Sequence, residues 1–155
     1  MSFTGKWNCV AQTNAKEILE AHAKSKAIDI KNLEKYLAEP YLTCEFHLTL
    51  SNNNQNFHFK DFFPKITEGP QTIRDHQITF GVEVPGEEWD SATAKLEKGS
   101  KVVWDISENA KEISCKMFRA SGELGMNVVF TVDGDKMVEN IDMFGVKGTR
   151  TFERM

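Results

Sequence analysis

Residues 143–155 read "MFGVKGTRTFERM", and the first chemistry of the chain lies there. Arg150 stands two residues before Phe152, so in a strand both side chains leave on the same face. A two-residue turn at Phe144–Gly145 sets a hairpin register in which Met143 faces Val146, Asp142 faces Lys147, Glu139 faces Arg150 and Met137 faces Phe152. Asp142 and Lys147 then make an ion pair on the outer face, which fits that register. The inner face carries Met137, Ile141, Met143 and Phe152, with Glu139 and Arg150 among them. An isolated charge among apolar side chains is very costly, whereas a hydrogen-bonded pair is tolerated. Two readings of the pair are compatible. One is a structural tie between the last two strands; the other is a site for the polar end of a ligand.

Other residue types offer less. His47 and His58 fall on facing strands of one hairpin, on its polar side, and lack the third ligand that a metal centre needs. His22 belongs to a helix and His76 to a loop, and neither has an acid or nucleophile beside it in sequence. No spacing pairs a nucleophile with a base, so no enzymatic activity, metal or cofactor is expected. Cys9, Cys44 and Cys115 are odd in number, widely spaced and without a CxxC, which fits a reducing compartment. With neither a basic, apolar leader nor a long apolar run in the sequence, the expected address is the cytoplasm. A net charge of −4 argues against nucleic acid as a partner. The lysines between residues 16 and 35 are nearly cancelled by Glu17, Glu20, Asp29 and Glu34. That is a solvated face, leaving room for no more than transient membrane contact, and a monomer is expected.

These residues need elements to position them. The 155 residues suffice for one domain with a real core, and 11 Phe against 4 Pro give it an aromatic interior with few forced breaks. A strand at "GKWNCVAQ" comes first, with Trp7 as a plug for one end of the fold. A two-helix cap over about 14–39 follows. Asn14 and Glu17 form a capping box for the first helix, and residues 30–38 form the second, with Pro40 stopping it. Period-two alternation then begins. In "LTCEFHLTL", Leu42, Cys44, Phe46, Leu48 and Leu50 oppose Thr43, Glu45, His47 and Thr49. "NFHFKDF" returns after a turn, with Phe57, Phe59, Phe62 and Phe63 divided between cavity and portal. Further strands are predicted over 77–84, 88–93, 98–106, 112–118, 127–132, 137–143 and 146–154. One strand, two short helices and about nine more strands make an all-β fold, a ten-stranded up-and-down β-barrel of the lipocalin-like kind.

Three stretches carry a resemblance. "FTGKW" resembles the F-x-G-x-W opening of the intracellular lipid-binding proteins, the family of fatty-acid-binding and cellular retinoid-binding proteins. "GEEWDSATAKLEKGSKVVW" resembles its G-E-E-F-D-x-x-T-A segment and the strand after it. "DKMVENIDMFGVKGTRTFERM" resembles its final hairpin, which ends in T-R-x-Y-E. The resemblance spans nearly the whole chain and implies a carrier that holds a small hydrophobic ligand, a fatty acid, retinoid or similar molecule, inside the barrel. In that family two arginines and a tyrosine commonly grip the ligand carboxylate. Matched by position, one arginine falls on Arg150, the other on Phe130, and the tyrosine on Phe152, so one of the three groups remains. Leu19 and Ile73 match positions near the portal. The expected ligand-binding set is therefore Arg150, Phe152, Phe130, Glu139, Ile141, Leu19 and Ile73. Two other classes stay open. One is an enzyme or chromophore-binding photoprotein using the same cavity; the other is an interaction module whose interior is filled.

Overall fold

The computed structural model describes residues 2–38, 42–90 and 95–155. Ten strands form one antiparallel sheet: β1 (Gly5–Thr13), β2 (Glu45–Ser51), β3 (Asn56–Phe62), β4 (Asp75–Thr79), β5 (Val84–Asp90), β6 (Lys95–Ile106), β7 (Glu112–Phe118), β8 (Leu124–Asp133), β9 (Lys136–Met143) and β10 (Val146–Arg154). Their order is β4-β3-β2-β1-β10-β9-β8-β7-β6-β5. Each strand pairs with its chain neighbour except at the β4–β5 junction. β1 bridges β2 to β10, which curls the meander back on itself, and β4 and β5 stand at the two ends of the ladder as a seam. The sheet is thus the expected ten-stranded meander, curled and left unzipped at one junction.

That junction departs from the predicted strand over 77–84. Ile78, Phe80, Val82 and Val84 alternate as one strand should, but Gly81 takes φ 78° and turns the chain between β4 and β5. A glycine adopts that conformation at little cost, and a strand cannot continue through it. His76 consequently lies on β4 rather than in a loop. The strand predicted over 88–93 falls partly outside the described residues, as do Pro40 and part of the "GEEWDSATAK" stretch.

The cap is one helix and two tight turns. α1 (Ala15–Lys26) is followed by 3-10 turns at Ile30–Asn32 and Glu34–Leu37. The capping box does not form. Asn14 takes a left-handed conformation with no side-chain bond to the helix, and its Nδ2 donates instead to the Lys147 carbonyl across the sheet, at 2.8 Å. Gly148 lets the helix sit this close, since a Cβ there would lie 2.6 Å from the Thr13 carbonyl and 3.0 Å from Ile18.

The interior is divided. Phe3, Trp7, Ile113, Val132, Met137 and Phe152 are fully or almost fully buried and fill the end where β1 begins and β10 finishes. Trp7 donates from Nε1 to the Phe3 carbonyl, and the Arg154 guanidinium covers its ring. Phe62 turns outward beside His47, while Phe57, Phe59 and Phe63 are core. Above this floor, beneath α1, the sheet encloses open space.

Candidate functional site

The space is a cavity of about 940 Å³. Its described walls draw on every strand except β2, and its cover on Ile18, Leu19 and His22 of α1 with Tyr36 and Leu37 of the second 3-10 turn. Val82 and Val84 line it at the seam while remaining half exposed, so the opening lies where the sheet is unpaired.

One inward row crosses four strands. The ladder aligns Phe130 with Glu139, Glu139 with Arg150 and Arg150 with Gln12. The hairpin register is the one read from the sequence, with Phe144 and Gly145 both at positive φ in the two-residue turn. A left-handed Phe144 is held by its amide, which donates to the Gly125 carbonyl at 2.7 Å, and by Arg119 over its ring. Arg150 Nε donates to Glu139 Oε1 at 2.5 Å. Glu139 is 5% exposed and Arg150 22%, the latter towards the cavity. Burial alone would pull the guanidinium's pKa down; the Glu139 charge and hydrogen bond hold it above its ordinary value. Arg150 also lies 4.9 Å from the Phe46 ring centre.

Of the seven expected residues, Arg150, Glu139, Phe130, Ile141 and Leu19 share the cavity wall. Phe152 does not reach it. Its ring stacks on Phe46, 4.4 Å between centres, and is wholly covered. Ile73 does not reach it either, being 46% exposed on the outer side of the segment before β4. The physical reason is Asp61, whose carboxylate accepts from the amides of Ile73 and Arg74 and from Arg74 Nε, at 3.0, 2.7 and 2.7 Å. This clamp fixes the segment so that Arg74, not Ile73, faces inward.

Arg74 is the residue that sequence reasoning missed. It lines the cavity, with its guanidinium 4.8 Å from the Phe59 ring centre and 6.0 Å from that of Phe46. No strand period reaches it, because Ile73 and Arg74 precede β4, and the sequence carries no signal for its direction.

Burial pushes the thiol of Cys115, a wall residue, up to about 12, and that of Cys44 likewise. Burial, Lys26 and Arg74 together lower the pKa of His22. His47 is taken up by Glu45 and His58 by Asp75.

No protein-family model and no curated protein matches the sequence. Solved structures do. The wild-type fluorescent protein UnaG superposes with a TM-score of 0.66 over 99% of this chain and 97% of its own, at 20% identity. A REP1-NXSQ fatty acid transporter superposes at 0.64 over 98% of this chain and 95% of its own, at 15% identity. At such identities the likeness is one of fold. The chain has the fatty-acid-binding-protein fold, with ten antiparallel strands curled beneath a cap that follows the first strand.

Proposed function

We propose that the chain, working over 1–155 as one domain, binds a single small hydrophobic molecule in the cavity and carries it through the cytoplasm. The observation that supports this best is the cavity itself. At about 940 Å³ it is the size of a ligand site, with aliphatic and aromatic side chains making up most of the wall and charged and polar ones set among them. Burial of an alkyl chain there supplies affinity at ~0.8 kcal/mol per CH₂. A long-chain fatty acid or a related lipid or retinoid fits these walls, and one structural neighbour is a fatty acid transporter. Binding rather than turnover also fits Cys115, whose thiol, pushed up to about 12, stays protonated at neutral pH. The test is titration with an apolar fluorescent probe and its displacement by long-chain lipids. Saturable one-site binding is expected, and failure of every long-chain lipid and retinoid to displace the probe sinks the reading.

A second reading has one observation behind it, the superposition on a fluorescent protein. A conjugated chromophore held rigidly by the same walls would make this chain a photoprotein. Mass spectrometry and an emission spectrum of whatever the native protein releases on denaturation separate the two.

A further inference from the structure

Two guanidinium groups share the cavity, and their counter-ions are placed differently. Glu139 lines the cavity beside Arg150 and, among the described residues, accepts one hydrogen bond, from Arg150 Nε. An anion approaching Arg150 therefore meets the Glu139 charge at close range, and drawing Arg150 away strands a buried carboxylate. Asp61 lies behind Arg74 and not on the cavity wall. It is 3% exposed, and its charge is spread over three donors, two of them backbone amides that no ligand can remove. Arg74 is 44% exposed, and among the described residues its Nη groups have no acceptor. Its guanidinium rests on Phe59, where the rings take the place of water on one face. The Phe46 ring lies near both arginines, 4.9 Å from Arg150 and 6.0 Å from Arg74, so both act within one neighbourhood.

We propose that Arg74 receives the acidic group of the ligand, a long-chain monocarboxylate, and that the Glu139–Arg150 pair faces a neutral part of the molecule. The assignment rests on the cavity being a ligand site. It places the ligand's charge on Arg74, over the Phe59 ring and near the Phe46 ring that the paired Arg150 also approaches, so that the acid binds the arginine whose counter-ion lies outside the cavity wall.

Calorimetric titration with palmitate and hexadecanol tests it, on wild type, Arg74→Gln, Arg74→Lys and the double variant Glu139→Gln/Arg150→Gln. A charge-assisted hydrogen bond predicts that wild type prefers the acid by at least about tenfold. Arg74→Gln should erase that preference while leaving hexadecanol unchanged, and Arg74→Lys should keep most of it. The double variant, which removes both charges of the deep pair together, should keep it too. Retention of the preference in Arg74→Gln, or its loss in the double variant, overturns the assignment. So does a wild type that binds acid and alcohol equally, and in that case the ligand site itself still stands. If wild type binds neither compound nor the apolar probe, the ligand-site reading fails and takes the assignment with it. Unaltered probe binding by Arg74→Gln shows that the cavity survives the substitution.

Discussion

Among the described residues Glu139 has a single hydrogen-bond partner, and that decides how the deep pair responds to substitution. Arg150→Met leaves a buried carboxylate unpaired and should cost about 3–5 kcal/mol. Glu139→Gln keeps an acceptor for Arg150 and should cost no more than about 1 kcal/mol. Urea unfolding of the two variants measures the difference, and equal losses would mean that the pair is held by something other than its charges. Glu139→Gln also leaves the cavity with an extra uncompensated cation. Palmitate affinity should then rise about tenfold, or 1.4 kcal/mol, with hexadecanol nearly unchanged. This pair was legible because a two-residue turn fixes register, and register fixes facing. Arg74 was not. Its orientation depends on a clamp from Asp61, thirteen residues earlier and across an irregular segment, where no period tells inside from outside.

Among the elements, the cap and the segment before β4 define the mouth. Asp61 holds that segment by two amides as well as by Arg74, so Asp61→Ala strands buried donors and should cost about 2–3 kcal/mol. The same change should loosen Arg74 and weaken palmitate more than hexadecanol; equal weakening would show that Asp61 supports the wall without positioning the charge. Leu19 is the cap residue to test for gating. Leu19→Ala should speed both uptake and release of the probe in stopped flow while shifting its equilibrium affinity little. Unchanged rates would move the gate elsewhere, with the seam valines Val82 and Val84 the next to examine. The cap itself was only half legible. Leu33 follows Ile30 by three residues and Leu37 follows Leu33 by four, and over so short a run a 3-10 turn and an α-helix bury the same side chains. The seam was readable in principle, since Gly81 interrupts an otherwise regular alternation. The alternation of Ile78, Phe80, Val82 and Val84 concealed it.

At the scale of the molecule, the meander order follows from counting strands and turns, because short antiparallel connections leave few alternatives. How far the Phe residues fill the interior does not follow, since filling depends on how rings from distant strands meet. Phe46, Phe59, Phe130, Phe152 and Trp104 pack on one another into a floor, leaving the volume beneath the cap open. That open volume sits under α1, which carries His22 on the cavity side. Burial lowers the His22 pKa most, and Lys26 on the same helix and Arg74 opposite lower it further from 6.5. The folded state therefore resists protonation that the unfolded chain accepts. The unfolded chain binds more protons as pH falls below about 6.5, so the contribution of His22 is fully present above that value and is lost progressively below it. Wild type should lose more stability between pH 7.5 and 5.5 than His22→Gln, which cannot titrate. Urea unfolding of both proteins at the two pH values makes the comparison, and carboxylate contributions common to the pair cancel in the difference. Equal losses would assign the acid sensitivity to other groups. A steeper loss in the variant would mean that the protonated imidazole finds a partner under the cap, contrary to the cationic surroundings of His22 described here.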